Sequence, residues 1–461
     1  MSLWEFIRSS MLRRPEQTVG EQNASMTYEE IVVYSEVFSK KLVGEKCCAI
    51  LCGSELAASM ALLSCFAAQV TAVPLSARYG QAHCSKILDM INPTALITDI
   101  DGELQVLHIT DAKYIEPEVH PALIMCTSGT TGLPKGAMLS EENIRTNVQD
   151  ICAYFHITHF DSLLIARPLY HCAVLTGEFL TALIKGAKIH FYSEQFNPKR
   201  ILTLIAERQI TVFCGTPTLL GMMARYKREN AVCSLRTICV SGECMAADVG
   251  KKIAEAFPDA MIYHVYGLTE ACPRISYLPP ERFAQHTGSV GVPLNAVRLK
   301  IIDANGRVAG KGQEGVLWVR GANIMLGYYN APEYTSKVLQ GGWLCTGDIA
   351  VIDEEGLLWI KGRFDDLIIR AGMNIYPQEI EQALKKDSRV REVLAYGVDD
   401  PISGQQIAIE IAGDFSDKDE VKKLCLTVLP AFQVPSRINL VDELPKNGSG
   451  KLLRGGHYAR V

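Results

Sequence analysis

The stretch Cys126-Thr-Ser-Gly-Thr-Thr-Gly-Leu-Pro-Lys-Gly136 decides how this sequence is interpreted. It follows an apolar run at residues 123–126 that has the composition of a buried strand. Its glycines permit positive φ angles and a close approach of the backbone to a ligand. Its hydroxyl groups and Lys135 supply hydrogen-bond donors for phosphate oxygens. The pattern predicts a phosphate-binding loop, and the alternative is a solvated turn.

The position of the lysine separates this loop from the Walker A motif. A Walker A loop carries Gly-Lys followed directly by Ser or Thr, whose hydroxyl binds magnesium. Here Lys135 lies between Pro134 and Gly136. The spacing therefore disfavours a P-loop kinase or motor.

The composition is that of an ordinary globular protein. The chain has 461 residues, of which 48% are hydrophobic and 21% charged, so disorder and fibrous repeats are excluded as the main state. It carries 46 basic and 51 acidic side chains, and a net charge of −5 argues against a broad nucleic-acid surface. The length allows roughly three domains, or one large domain with a small one.

Fifteen cysteines and one uncharged stretch bear on the cellular compartment. The cysteines have no zinc-ligand spacing, and most lie in apolar runs, which predicts buried free thiols in a reducing cytosol. Residues 56–77 carry no charge over about the length of a bilayer span. Gln69 and Pro74 dilute this stretch, so we expect a buried helix and a strand instead. The N-terminal residues lack the order of a signal peptide, and we expect a soluble, cytoplasmic protein.

Apolar runs alternate with amphipathic ones along most of the chain, which predicts an α/β fold with parallel sheets. The predicted strands cover residues 48–52, 95–98, 123–126, 162–166, 188–192, 211–214, 237–240 and 261–265, and the predicted helices include 141–154, 198–208 and 247–256. From Gly288 short strands broken by Gly and Asn predict a β-barrel-like subdomain at residues 297–303, 315–320 and 357–361. After Asp366 the pattern is that of a small α+β domain, with helices at 378–385 and 418–429 and strands at 392–398 and 406–412.

Several motifs in one order resemble the adenylate-forming superfamily of acyl- and aryl-CoA ligases, peptide-synthetase adenylation domains and luciferases. They are the 126–136 loop, Tyr266-Gly-Leu-Thr-Glu270, Trp343-Leu-Cys-Thr-Gly-Asp348, Gly362-Arg-Phe-Asp-Asp366 and Pro445-Lys-Asn-Gly-Ser-Gly-Lys451. The stretch from Ala271 to Pro293 is most similar to o-succinylbenzoate-CoA ligases and other aryl-acid ligases. The resemblance implies a large adenylation domain of layered parallel α/β sheets with the barrel-like subdomain (1–363). A small mobile α+β domain (364–461) would follow, with its hinge at Asp365.

The resemblance implies a role for each matching residue in binding MgATP. Phosphates would lie on the loop residues Thr127, Ser128, Gly129, Thr130, Thr131, Gly132 and Lys135. Tyr266 would flank the adenine, Thr269 would contact the α-phosphate, and Glu270 would hold Mg²⁺. Gly267 would contact both the nucleotide and the acid. Asp348 and Arg363 would bind the ribose. Lys451 would bridge the acid carboxylate and the α-phosphate.

The acid pocket is predicted from a second group of motifs. Pro168-Leu-Tyr-His171 resembles the aromatic–His motif of acyl- and aryl-CoA ligases, so His171 would lie near the acid carboxylate or gate the pocket. Residue 171 is a histidine and not a carboxylate, which disfavours an α-amino acid as the substrate. Gly215 and Thr216 are further pocket candidates, and Ser241, Gly242 and Glu243, which follow a predicted strand, would border both the adenine and the acid. Arg274 would pair with a second carboxylate or polar group on the acid, or else lie on a surface loop.

The implied activity is that of an acid–thiol ligase. The acid forms an acyl-adenylate with release of pyrophosphate, and the small domain then rotates so that the Gly372 segment guides the thiol of CoA. The alternatives are an enzyme that loads an acyl carrier protein, and a non-catalytic nucleotide-binding protein. A homodimer is compatible with the sequence. The chain continues for only seven residues after Arg454, so the usual final helix would be short or absent.

Overall fold

The computed structural model describes residues 1–76, 80–128, 134–194, 197–227, 234–370, 373–401, 403–445 and 452. The helices in chain order are α1 (Leu3–Met11), α2 (Tyr28–Ser39), α3 (Glu55–Ala68), α4 (Gln81–Ile91), α5 (Glu141–Tyr154), α6 (Cys172–Val174), α7 (Thr181–Lys185), α8 (Pro198–Glu207), α9 (Pro217–Tyr226), α10 (Ala247–Ala256), α11 (Pro280–Phe283), α12 (Pro332–Val338), α13 (Pro377–Leu384) and α14 (Lys418–Val428). Short 3₁₀ turns lie at Lys40–Leu42, Thr269–Ala271 and Ala431–Gln433, and a π-helical turn at Leu175–Leu180 joins α6 to α7.

The strands of the first two-thirds of the chain build two large sheets. They are β1 (Thr18–Glu21), β2 (Ala24–Thr27), β3 (Cys47–Ile50), β4 (Thr71–Pro74), β5 (Ala95–Ile100), β6 (Glu103–His108), β7 (Leu123–Ser128), β8 (Pro134–Leu139), β9 (Ser162–Ile165), β10 (Lys188–Phe191), β11 (Val212–Gly215), β12 (Thr237–Val240), β13 (Met261–Gly267), β14 (Arg274–Leu278) and β15 (Val292–Pro293).

The remaining strands belong mostly to two smaller sheets. They are β16 (Val297–Ile302), β17 (Gly315–Gly321), β18 (Gly327–Tyr328), β19 (Leu339–Gln340), β20 (Trp343–Ile352), β21 (Leu358–Arg363), β22 (Ile368–Arg370), β23 (Met373–Ile375), β24 (Val390–Asp400), β25 (Gly404–Gly413) and β26 (Arg437–Leu440).

Both large sheets have a parallel centre with antiparallel edges. Among the described residues the first has the strand order β15-β14-β13-β12-β11-β9-β10-β1-β2, and it is parallel from β13 to β1. The second has the order β18-β8-β7-β4-β3-β5-β6, and it is parallel from β7 to β5. The predicted α/β class is therefore confirmed, and most predicted strands agree with the structure to within two residues.

The described part of the uncharged stretch, residues 56–76, lies mostly in the interior, as predicted. It contains most of α3 and all of β4, and α3 contacts β1 of one large sheet and β3 and β4 of the other. Ten of the fourteen residues of α3 are buried and the others are partly buried, which explains why the helix lacks an amphipathic pattern. None of the described helices combines the length and apolar character that crossing a bilayer requires.

Two smaller sheets complete the fold. β16, β17, β20, β19 and β21 form an antiparallel sheet, as the change of sequence pattern at Gly288 predicts. β22 to β26 form a separate sheet that packs with α13 and α14 around its own apolar core, which includes Ile380, Ile409 and Val421. This last unit is the predicted small α+β fold, while the domain boundary at residues 363/364 stays a prediction.

Candidate active site

The site lies where parallel strands of the first large sheet end. A cavity of about 1250 Å³ is lined by residues that directly follow or end β9, β10, β11, β12 and β13. Loops at the carboxyl ends of parallel strands are where α/β sheets bind ligands. Other lining residues belong to the last part of the chain, in α13, in β24 and at Leu452. The large sheet and the small C-terminal unit therefore both contribute to the cavity.

Tyr266, Asp348 and Arg363 come together at this cavity from three separate motifs. The Tyr266 hydroxyl donates to Oδ2 of Asp348, and Arg363 Nη1 lies 3.2 Å from Oδ1. Asp348 is 5% exposed, and its own N–H donates to Thr346 Oγ1 at 3.0 Å. Pairing of β20 with β21 places Asp348 opposite Arg363. Each carboxylate oxygen accepts more than one hydrogen bond, so Asp348 can also receive ribose hydroxyls.

Tyr328 contacts residues of two motifs, the 126–136 loop and the 266–270 segment. Its hydroxyl donates to Glu270 Oε1 at 2.8 Å, and Lys135 Nζ lies 5.6 Å from its ring centroid. Burial and then the Glu270 carboxylate raise the pKa of Tyr328, so it remains a hydrogen-bond donor at neutral pH. Lys135 also lies over the ring of Tyr334 at 4.1 Å. Thr269 precedes Glu270 in a 3₁₀ turn at the end of β13.

Glu270 has the donor chemistry that magnesium requires. One of its oxygens accepts from Tyr328, which orients the carboxylate. In the part of the chain that the structure describes, no group of three or more His, Cys, Asp or Glu side chains could hold a metal ion. A single carboxylate fits Mg²⁺, because this ion keeps several waters and takes its other ligands from substrate phosphates.

Some of the predicted acid-pocket residues line the cavity, and others lie beneath its surface. Gly242, Glu243 and Thr216 line the cavity, and Glu243 accepts a 2.7 Å hydrogen bond from Thr218. Thr216 also caps α9, since its Oγ1 accepts from the Leu219 N–H at 3.2 Å. Ser241 is buried beneath this surface, where its hydroxyl accepts from Arg167 Nη2 at 3.1 Å. Gly215 is at the end of β11, where a Cβ would lie 3.0 Å from the Leu220 side chain.

His171 lies at the start of α6, with its ring 4.1 Å from the ring of Tyr170. Its Nε2 is buried and has no hydrogen-bond partner among the described residues. Burial, aided by the positive charge of Arg167, lowers the pKa of His171 to about 3. The imidazole is therefore neutral at physiological pH, so it cannot act there as a cationic partner for the acid.

Arg274 is not on a surface loop, which corrects that alternative. It is the first residue of β14, directly opposite Gly267 of β13, and it is 2% exposed. Its backbone is held by Asn147, which accepts from the Arg274 N–H at 3.1 Å and donates to its carbonyl at 2.8 Å. The sequence pattern does not predict this burial, because Arg274 directly follows the turn residues Cys272 and Pro273.

Several predicted site residues lie outside the described residues. These are Gly129, Thr130, Thr131, Gly132, Gly372 and Lys451. Thr127 and Ser128 end β7, and Thr127 pairs with Lys135 of β8. The described part of the loop motif thus runs as two adjacent antiparallel strands.

Sequence reasoning missed Arg167, Glu178 and Tyr328. Arg167 lines the cavity and donates from Nη2 to Glu178 Oε1 at 2.6 Å. Glu178 is fully buried in the π-helical turn. A signal for this pair was present, because Glu178 is the one carboxylate in the otherwise apolar run from Cys172 to Ile184. A buried carboxylate in such a run requires a partner.

The cysteine prediction holds for the residues that the structure describes. All of the described cysteines are free thiols, and most are buried. Burial raises the pKa of Cys126 to about 12 and that of Cys152 to about 11. Such thiols stay protonated and unreactive at neutral pH.

His264 predicts a pH dependence of stability. It lines the cavity, and its Nδ1 donates to the Ser289 carbonyl at 2.6 Å. Burial lowers the pKa of His264 from 6.5 to about 4. The unfolded chain binds a proton below about pH 6.5, while the folded chain resists it until about pH 4. The free energy of unfolding should therefore fall by roughly 3 kcal/mol from this residue as the pH drops through that window.

Urea unfolding at pH 7, 5.5 and 4.5 measures this contribution. A His264→Gln variant should lose part of the decline with falling pH, even though its stability at pH 7 is lower. The exposed His120 gives the matched control, because His120→Gln should retain the full wild-type slope. An unchanged slope in His264→Gln would contradict the prediction.

The sheet topology, and a cavity lined by both a large α/β unit and a small α+β unit, are those expected of the adenylate-forming class. The chain belongs to the AMP-binding enzyme family, whose model matches residues 8–329, and the model of its C-terminal domain matches residues 379–451. The predicted AMP-forming acid–thiol ligase that uses ATP, magnesium and CoA is thereby confirmed at the level of the class.

Relatives of this chain include two kinds of CoA ligase. A feruloyl-CoA synthase from Amycolatopsis sp is 34% identical over 340 residues, which are 72% of this chain and 68% of that protein. A long-chain-fatty-acid–CoA ligase from Escherichia coli O157:H7 is 33% identical over 352 residues, which are 74% of this chain and 62% of that protein.

Solved structures match almost the whole chain. The o-succinylbenzoate CoA synthetase from Bacillus subtilis, in complex with its acyl-adenylate intermediate, has a TM-score of 0.86 and 26% identity and covers 99% of this chain and 98% of its own. The same enzyme with ATP and a magnesium ion has a TM-score of 0.85 and 27% identity, with 99% of both chains covered.

Proposed function

We propose that this chain activates a carboxylic acid with ATP and transfers the acyl group to the thiol of CoA. The observation that carries the proposal is the convergence of Tyr266, Asp348 and Arg363 on a cavity at the carboxyl ends of parallel strands. Tyr266 and Gly267 would contact the adenine, and Asp348 with Arg363 would bind the ribose. These roles follow the family resemblance, and the hydrogen-bond geometry of Asp348 supports them.

The first half-reaction joins the acid to AMP. A carboxylate oxygen of the acid attacks the α-phosphorus of ATP, and the bond to the bridging oxygen breaks, so that pyrophosphate leaves. Lys451 would neutralise the two anions that meet in this step, and Thr269 would hold the α-phosphate. Lys135 and the loop residues 127–132 would hold the outer phosphates. Mg²⁺ held by Glu270 would reduce the negative charge on the phosphates.

The second half-reaction forms the thioester. The CoA thiolate attacks the acyl carbon of the adenylate, and AMP leaves with the electrons of the cleaved acyl–oxygen bond. We propose that the unit at residues 364–461 rotates about Asp365 between the two steps, with the Gly372 segment guiding pantetheine. Its separate sheet and separate apolar core support movement as one body.

A neutral, half-buried His171 suits a wall of the acid pocket. Its lowered pKa keeps the imidazole uncharged, so the ring would shape the pocket or gate it rather than bind the acid by charge. Thr216, Gly242 and Glu243 would form the remaining wall next to the nucleotide, and Gly215 and Ser241 would lie behind it.

The proposal also covers the cellular location of the protein and the thiol that accepts the acyl group. Buried free thiols are typical of proteins in reducing compartments, which supports a cytoplasmic location. CoA is the proposed acceptor, an acyl carrier protein is the alternative, and the proposed assembly is a homodimer. Sedimentation of the purified protein at several concentrations tests the assembly.

Pyrophosphate release from MgATP tests the proposed reaction. The purified chain is given benzoates, succinylbenzoate, cinnamates, medium and long fatty acids, dicarboxylic acids and amino acids, each with and without CoA. We expect release to require an acid and to rise with CoA, together with formation of AMP and a thioester. Adenylate formation that ignores CoA but responds to a pantetheinylated carrier would favour the alternative acceptor. ATP binding without acid-dependent release would contradict the proposal.

A further inference from the structure

A hydrogen bond joins the small C-terminal unit to the antiparallel sheet that follows the two large sheets. The Tyr376 hydroxyl donates to Glu314 Oε2 at 2.8 Å. Glu314 directly precedes β17, and Tyr376 is the residue before α13. Tyr376 is 7% exposed, and burial and then the bond to Glu314 raise its pKa, so the hydroxyl remains a donor at neutral pH. Glu314 is exposed, so its carboxylate stays hydrated if the bond opens.

The neighbouring contact between α13 and β21 is polar and incompletely satisfied. Gly362 of β21 lies against Gln378, and a Cβ at residue 362 would lie 2.6 Å from Gln378 Oε1. This amide oxygen is buried and has no hydrogen-bond partner among the described residues. A buried acceptor without a partner costs about as much as one hydrogen bond contributes. The two units therefore depend on contacts such as the Tyr376–Glu314 hydrogen bond to keep this arrangement.

The lining of the cavity indicates which half-reaction this arrangement suits. Leu452 lines the cavity, and it directly follows Lys451, the lysine proposed for the first half-reaction. The Gly372 segment is proposed for the second half-reaction, and its described residues 373–377 are not among those that line the cavity. The structure therefore has the arrangement that adenylate formation requires.

We propose that Tyr376 and Glu314 are positioning residues for adenylate formation, because their hydrogen bond holds the small unit where the 451–452 segment faces the cavity. The inference rests on the proposed function and names two residues that control its change of arrangement. Tyr376 belongs to the same unit as the Gly372 segment, so rotation of that unit as one body separates its hydroxyl from Glu314. A contact made in one of two arrangements shifts the population toward that arrangement.

The first test measures the two half-reactions separately in variants that lose the bond. Tyr376→Phe removes the donor and keeps the ring, while Glu314→Ala removes the acceptor. One net hydrogen bond changes an equilibrium by roughly two- to tenfold. In each variant the single-turnover rate of adenylate formation, divided by the rate of thioester formation from supplied adenylate, should fall by about that factor. An unchanged ratio, including equal slowing of both steps, would overturn the inference.

The double variant shows whether the two side chains act through one contact. Tyr376→Phe combined with Glu314→Ala should lower the ratio no further than either single change, since partners in one bond are not additive. The exposed Glu333 of α12 gives the matched control, and Glu333→Ala should keep the wild-type ratio. Losses that add in the double variant would show that the side chains act independently, which would contradict the proposed bond.

A distance measurement tests the inference without turnover. Fluorophores attached through unnatural amino acids at the exposed positions of Arg307 and Lys422 report the separation of the two units by energy transfer. Tyr376→Phe should raise the population of a second arrangement by roughly two- to tenfold relative to wild type. Identical distributions would overturn the inference. If no acid supports turnover, the ligase proposal fails, while this measurement still decides whether the bond holds the units together.

Discussion

Lys451→Ala is expected to slow acid-dependent pyrophosphate release by about 10³-fold, since removal of one preorganised charge-stabilising group costs about 10²–10³ in rate. The acid carboxylate and the α-phosphate are both anionic, and the ammonium group of Lys451 would lie between them. Single-turnover formation of the acyl-adenylate measures this step directly.

The same variant should leave the second half-reaction intact. When the acyl-adenylate is supplied together with CoA, thioester formation should remain within about threefold of wild type, because the lysine would serve only the first step. The exposed Lys422 of α14 gives the matched control, and Lys422→Ala should retain both steps. An equal loss in both half-reactions, or in neither, would contradict the assigned role.

Asp348→Ala should lower kcat/KM for ATP by roughly 10²- to 10³-fold, the range expected when one partner of a buried hydrogen-bonded charge pair is removed. The change removes the carboxylate that accepts from the Tyr266 hydroxyl and pairs with Arg363, in addition to removing the predicted ribose ligand. Among the described residues, Arg363 keeps only its hydrogen bond to the Thr346 carbonyl at 2.9 Å. Steady-state kinetics with ATP varied at saturating acid measure the loss.

Two further variants separate charge from shape. Asp348→Asn keeps the side-chain size and should fall between wild type and Asp348→Ala, because an amide oxygen still accepts one hydrogen bond. Asp259→Ala removes an exposed carboxylate and should match wild type. If Asp348→Ala alters KM for the acid while leaving the ATP parameters unchanged, the ribose assignment is wrong.

The sequence predicted the fold well where burial follows a simple period. The strand Thr237–Val240 and the helices Glu141–Tyr154 and Ala247–Ala256 have the predicted bounds, because short β-rich apolar runs and amphipathic helices are distinct patterns. Tyr266, Asp348 and Arg363 were found for a different reason. Each lies in a family motif, and the family resemblance implies that these distant segments of the chain come together at one site.

Tyr328 and Arg167 could not be found in this way. Tyr328 reaches Glu270 because β18 pairs with β8, which lies about 190 residues earlier in the chain. A strand of two residues is too short to show a periodic pattern in the sequence, so this pairing is not predictable from it. Arg167 pairs with Glu178 through an unusual π-helical turn that places the carboxylate inward. Arg274 is expected near the acid or on the surface, and the structure buries it at the start of β14, opposite Gly267.

The cavity wall includes Cys244, which is exposed, whereas the other cysteines that the structure describes are partly or fully buried. A thiol reagent added to the folded protein should therefore modify Cys244 before those others. A nucleotide or acid that fills the cavity would shield the same sulfur atom. The rate of alkylation at Cys244 thus becomes a readout of occupancy that needs no turnover, and it would report binding even of acids that the enzyme cannot activate.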